Sequence, residues 1–189
     1  MHNMFRAIRC VLDEHPDVKA IYPIHMNPAV RKAADEELGD CDRIHIIEPI
    51  EVFDCHNFEA RCYLCLADSG GIQEECPSYG KPVLVMLDTT ERPEGVEAGT
   101  LKLVGTQEET IYEWFTKLLD DEAEYEKMAH AASLWGWVCV REDCGCVGGE
   151  RVRGVEVSML IPNVELKNRP FLIIGASGFI GSNLVIELL

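Results

Sequence analysis

The 189-residue chain is 47% hydrophobic and 26% charged, a balance that suits a folded domain and excludes a disordered one. Its 33 Asp and Glu against 17 Lys and Arg give a net charge of -16. A surface that acidic repels phosphate backbones and anionic headgroups, so the sequence predicts no nucleic-acid partner and no membrane partner; an anion is accommodated only at a local site built of backbone N–H groups and one or two basic side chains. No apolar run approaches the roughly 20 residues of a membrane span. Met1-His2-Asn3-Met4-Phe5-Arg6 lacks the basic-then-apolar pattern of a signal peptide.

In chain order, Met4, Ile8, Val11 and Leu12 recur at helical spacing, and His15-Pro16 closes that helix. Val18 to Tyr22 is a short β-rich run. Asn27 before Pro28 is a cap residue with proline in the first turn, opening a helix to about Leu38 that Gly39 stops. Ile44 to Ile47 predicts a second strand, Val52 to Ala60 a polar helix, and Tyr63 to Ala67 a third strand. The turn Asp68-Ser69-Gly70-Gly71 leads into a helix from Ile72 to about Tyr79. Strands over 83–86 and 101–104 follow, then helices over 108–119 and 123–132. Strands alternating with helices predict right-handed crossovers, so the expected fold is α/β, a doubly wound parallel sheet with ligands at the carboxyl ends of its strands.

The nine cysteines are scattered and odd in number. Cys62 and Cys65 fall in an apolar run that reads as a strand, where residues three apart face opposite ways, so the pair predicts no metal clip. The thiols read as reduced, buried and cytosolic, and no metal is expected.

The most informative segment is Leu66-Ala67-Asp68-Ser69-Gly70-Gly71-Ile72-Gln73-Glu74-Glu75. Two glycines let a ligand approach the backbone, and the helix that follows points free N–H groups and a positive dipole end at it, an environment suited to phosphate. Ser69 can cap the helix or donate to a phosphate oxygen, and Glu75 can accept from ribose hydroxyls. A plain capped turn accounts for the same residues equally well. Arg92, in Asp88-Thr89-Thr90-Glu91-Arg92-Pro93-Glu94, and His25, in Tyr22-Pro23-Ile24-His25-Met26-Asn27-Pro28, each follow a strand. Either residue alone reads as structural; three strand exits that each carry a suitable polar group make a better case for a site.

Together these segments resemble the non-hydrolysing UDP-N-acetylglucosamine 2-epimerase family. The matching stretches are Tyr-Pro-Ile-His-Met-Asn-Pro at 22–28, Asp-Ser-Gly-Gly-Ile-Gln-Glu-Glu at 68–75, Gly-Lys-Pro-Val-Leu-Val-Met at 80–86 and Asp-Thr-Thr-Glu-Arg-Pro-Glu-Gly at 88–95. The match runs from Met1 to about Ala132 and covers only the carboxyl-terminal, nucleotide-binding half of an architecture shared with GT-B glycosyltransferases. The resemblance implies that Ser69, Gly70 and Gly71 hold the diphosphate, Glu75 the ribose, Arg92 the phosphate end, the backbone near Ile50 the uracil, and that His25 lies at the sugar-facing cleft. Cys55 stands where the family usually has an aromatic residue against the base, a loss of roughly 1 kcal/mol of binding. The family inverts C2 of UDP-GlcNAc to give UDP-ManNAc, with no cofactor; UDP-GlcNAc and UDP are the implied partners, along with a homodimer and a cytoplasmic location. The catalytic carboxylates belong to the amino-terminal half, so no catalytic residue is expected in this chain and no turnover by it alone.

Beyond Ala132 the family pattern stops. Leu134 to Cys146 is compatible with a DNA reading that, shifted by one base, restores the expected Pro-Tyr-Gly-Asp-Gly continuation, which predicts a frameshift and accidental cysteines at 139, 144 and 146. Three units are therefore expected: a UDP-binding domain over 1–132, a poorly packed segment over 133–160, and over 161–189 the start of a truncated NAD-binding unit. Phe171-Leu172-Ile173-Ile174 reads as a buried strand, and Gly175, Gly178 and Gly181 after it resemble the opening of an extended short-chain dehydrogenase, where they approach a dinucleotide pyrophosphate. The acidic residue for the adenosine ribose is missing, so NAD is expected only if that unit were complete. Two alternatives stand beside the epimerase fragment: a non-catalytic UDP-sugar-binding module and an NAD-dependent sugar epimerase or dehydrogenase fragment.

Overall fold

Phe5, Ile8, Val11 and Leu12 all lie buried on one stripe of the first helix, α1 (His2–Glu14), as their three- and four-residue spacing requires. The computed structural model describes residues 1–134 and 171–175. After α1 come β1 (Lys19–Pro23), α2 (Pro28–Leu38), β2 (Ile44–Ile47), α3 (Val52–Arg61), β3 (Leu64–Ala67), α4 (Gly70–Ser78), β4 (Val83–Val85), α5 (Pro93–Ala98), β5 (Leu101–Leu103), α6 (Glu108–Asp120), α7 (Glu122–Leu134) and β6 (Phe171–Gly175). Local chemistry sets several boundaries. The Asn27 side chain accepts from the Ala29 N–H at the start of α2, with Pro28 in the first turn. Helix α5, which the sequence reading does not anticipate, starts at Pro93 and ends at Gly99 with φ 85°, a left-handed position that favours glycine. Helix α4 starts at Gly70, earlier than the expected Ile72.

The six strands form one sheet in the order β2-β1-β6-β3-β4-β5. All pairings are parallel, with Ala20 beside Ile44 and Ala67 beside Val85. The fold is thus the expected doubly wound α/β sheet. From β1 the chain steps outward to β2; from β3 it steps the other way through β4 to β5.

The central strand is the one the sequence reading assigned elsewhere. β6 is last in the chain, yet it pairs with β1 through Lys19–Phe171 to Ile21–Ile173 and with β3 through Leu64–Leu172 to Ala67–Gly175. It lies in the same sheet as β1–β5, not at the start of a separate unit. A strand by itself leaves its N–H and C=O groups unpaired; between β1 and β3 both edges are satisfied. Phe-Leu-Ile-Ile-Gly also suits a strand covered on both faces, which needs a continuous apolar run, and Ile174 is buried. The expectations for 133–160, with Cys139, Cys144 and Cys146, and for Gly178 and Gly181 lie outside the described residues, as do most of residues 161–189.

The pleat sends alternate strand residues to two cores. Ala20, Tyr22, Leu64, Leu66, Leu84 and Ile174 join α1, α2, α6 and α7 on one face. Ile21, Cys65, Ala67, Val83 and Val85 join Phe58 of α3 and Ile72 and Cys76 of α4 on the other. Among the described residues, no helix is long and apolar enough to cross a membrane.

Candidate functional site

Because every pairing is parallel, all strand exits lie along one edge of the sheet. Ser69 follows β3 and is the N-cap of α4, with extended backbone at φ -104° and ψ 136°. Gly70 and Gly71 open the helix. Neither has positive φ, so backbone freedom does not explain them. Nor does crowding: a methyl group at Gly70 would meet nothing within 4 Å, and one at Gly71 would come no nearer than 3.8 Å to Ser69 Oγ and 4.0 Å to Glu75 Oε1. Glycine in a helix costs about 1 kcal/mol relative to alanine. What the two glycines provide is bare backbone. The first amides of α4 have no partner within the helix and carry its positive dipole end. That arrangement holds a phosphate or other anion.

Glu75, one turn into α4, hangs back over this end, and its Oε2 lies 3.4 Å from His56 Nε2 on α3. One turn beyond His56, Glu59 is wholly buried. The Cys55 thiol donates to Glu59 Oε1 at 3.3 Å, while Oε2 accepts nothing among the described residues. Burial first, and the Glu75 carboxylate second, push the Glu59 carboxyl up to about 8. The nearby Glu75 carboxylate raises the His56 imidazole above its ordinary value, against the effect of burial. Sequence reading missed His56 and Glu59. The available signal was their spacing: residues three apart on a helix share a face.

Arg92 sits beyond β4 and is held against α4. Its guanidinium pairs with the Glu74 carboxylate, its backbone N–H donates to Thr90 Oγ1 at 3.0 Å, and the Thr90 hydroxyl donates to the Gln73 side chain. These contacts fasten the loop over 88–92 to the first two turns of α4. His25, beyond β1, accepts the Asn27 N–H on Nδ1 at 3.0 Å, which leaves the ring proton to Nε2. Ile50, beyond β2, packs against the core of the α3–α4 face. The structure therefore joins Ser69, Gly70, Gly71 and Glu75 at one helix end and sets Arg92, Ile50 and His25 on other exits of the same edge. Gly175 ends β6 level with Ala67, directly before the Ser69 turn.

The cysteine expectation needs correcting. Cys62 is the C-cap of α3 and precedes the strand, so the argument from opposite strand faces does not apply. Its Sγ lies 3.6 Å from Cys65 Sγ, which lies 2.9 Å from Cys76 Sγ. These three free thiols are buried as expected, whereas Cys10 is exposed.

The family described as UDP-N-acetylglucosamine 2-epimerase matches this chain over residues 1–138. The UDP-N-acetylglucosamine 2-epimerase of Bacillus subtilis (strain 168) is 60% identical over 136 residues, covering 72% of this chain and 36% of the relative. The Escherichia coli (strain K12) enzyme of the same name is 47% identical over 130 residues, covering 69% and 35%. Among solved structures, the S. aureus MnaA-UDP co-structure is 49% identical, covers 74% of this chain and 39% of its own, and superposes with a TM-score of 0.69. The Neisseria meningitidis UDP-GlcNAc 2-epimerase bound to UDP-GlcNAc is 41% identical, with coverages of 71% and 38% and a TM-score of 0.66. This chain spans little more than a third of the length of these relatives. The matched stretch contains the bare helix end with Ser69, Gly70, Gly71, Glu75 and Arg92, and the chain belongs to the UDP-N-acetylglucosamine 2-epimerase family.

Proposed function

We propose that this chain is the nucleotide-holding part of a non-hydrolysing UDP-N-acetylglucosamine 2-epimerase, which interconverts UDP-GlcNAc and UDP-ManNAc for polysaccharide precursors, and that by itself it binds UDP without turnover. The open amides at Gly70 and Gly71 carry the reading, because a helix end kept free of side chains at a cost in helix stability fits a diphosphate. Ser69 donates to a phosphate oxygen, Glu75 accepts from the ribose, Arg92 balances charge from the loop over 88–92, Ile50 borders the uracil and His25 borders the sugar. Co-structures of relatives with UDP and UDP-GlcNAc support the ligand class.

The chemistry follows from what leaves. A carboxylate outside this chain takes the C2 proton, the C1–O bond breaks, and its electron pair departs on the β-phosphate. The α4 amides face that growing charge and stabilise it more as the bond breaks than before, which is the condition for accelerating the step. UDP stays held until the C2 position is reprotonated from the opposite face and the phosphate oxygen adds back to C1. Elimination followed by addition changes no net oxidation state, so the reaction needs no NAD.

Isothermal titration of UDP into the full chain tests the reading. Saturable binding is expected, weakened about tenfold or more by Gly70→Val with an unchanged far-ultraviolet circular dichroism spectrum, since a Cβ at this position meets nothing within 4 Å and the branched side chain crowds the amides. No heat with UDP, or equal affinity in the variant, sinks it. Formation of UDP-ManNAc by the isolated chain would refute the second half of the proposal.

A further inference from the structure

Helices α3 and α4 bring together three groups that the nucleotide reading does not use as a set. One donor atom from each of His56, Glu59 and Glu75 lies within 4.8 Å of the other two. Glu59 has no solvent exposure, and its Oε2 is unpartnered among the described residues. Its other oxygen receives, among the described residues, the weak thiol donor of Cys55. A buried carboxylate beside a second carboxylate is costly unless a cation or a full set of donors compensates it.

We propose that His56, Glu59 and Glu75 form a binding site for a divalent zinc-class cation that staples α3 to α4 at the rim of the nucleotide seat. Imidazole nitrogen and carboxylate oxygen are donors that zinc accepts, and bonds of about 2.0–2.2 Å place neighbouring tetrahedral ligands about 3.3 Å apart. His56 and Glu75, with side chains 34% and 40% exposed, close the remaining distance by small side-chain rotations. Glu59 is the buried anchor. It offers the cation a fixed oxygen from the core, and Glu75 supplies the second negative charge from the rim. Three protein ligands leave a fourth position for water. A cation holding Glu75 also withdraws that carboxylate from ribose; only this last link rests on the nucleotide reading.

Among the described residues, the other close set of soft donors is the thiols of Cys62, Cys65 and Cys76, which are sealed in the core at 1% exposure or less. The test separates the two sites and contains no nucleotide, so its failure is distinct from failure of the UDP reading. The full chain is treated with chelator, desalted and titrated with Zn²⁺, then with Co²⁺. One zinc per chain is expected, with affinity reduced about a hundredfold by Glu59→Gln. This variant keeps the side-chain shape and places a neutral amide where the carboxyl stood, so it folds; circular dichroism checks that. Co²⁺ is expected to give weak visible bands of a nitrogen–oxygen site without an intense near-ultraviolet thiolate band. Absence of saturable binding, equal affinity in Glu59→Gln, or a strong thiolate band overturns the proposal.

Discussion

On one face of the sheet, large apolar side chains interlock: Phe5, Ile8, Leu12, Tyr22, Leu38, Phe115 and Leu118. On the other, the strands contribute Cys65, Ala67, Val83 and Val85, and α3 and α4 add Cys62, Cys76 and the buried Glu59 beside Phe58 and Ile72. The first face buries more hydrocarbon and is the main source of hydrophobic stabilisation. The second has smaller and more polar residues beneath the helix end that meets the ligand. Stability and chemistry are thus divided between the two sides of one sheet, with β6 common to both.

The largest expected effect comes from removing what the faces share. Truncation after Leu160 deletes β6, unpairs the inner edges of β1 and β3, and removes the contribution of Ile174 to the core. A loss on the order of the whole stability of a small domain, about 5 kcal/mol or more, is expected. Thermal unfolding followed by circular dichroism should lose its cooperative transition; an unchanged melting temperature would show that β6 does not tie the faces together.

Single-residue changes test the asymmetry itself. Phe115→Ala, on the large-residue face, is expected to cost about 4 kcal/mol, and Cys76→Ala, on the other, about 1 kcal/mol, both read from urea midpoints. Equal losses would remove the distinction. Glu59→Met should go the opposite way. With chelator present, replacing an incompletely bonded buried carboxyl by an apolar side chain of similar size is expected to raise stability by about 1–2 kcal/mol. A fall in midpoint would show that Glu59 supports the fold even without a cation.

The smallest effect is in pH dependence. His45 pairs with Ile21 on the polar face. Burial first, and the charge of Lys19 second, hold its imidazole below the ordinary histidine value, while Asp42 acts against them. The folded state therefore binds a proton less readily than the unfolded chain. The His45 contribution is complete above the unfolded value of about 6.5 and is lost as pH falls through it. Urea midpoints measured from about pH 7.5 down to pH 5.5 should fall less steeply in His45→Gln than in the parent chain; parallel slopes would assign the acid sensitivity to other groups.

Read alone, the sequence determined the alternation of strands and helices, the Asn27–Pro28 helix start and the glycine turn at Ser69, because each is written in neighbouring residues through periodicity, capping and side-chain size. It placed Ser69, Gly70, Gly71 and Glu75 at one helix end for the same reason. Tertiary structure alone decided what meets across the chain. Residues 171–175 belong in the centre of the sheet because only the slot between β1 and β3 satisfies both edges of that apolar strand. His56 and Glu59 meet Glu75 because α3 and α4 pack side by side, a choice that helical spacing within either segment does not reveal. Cys62 meets Cys65 because Cys62 caps the end of α3 and the strand begins only at Leu64, so a pair expected on opposite faces shares one core.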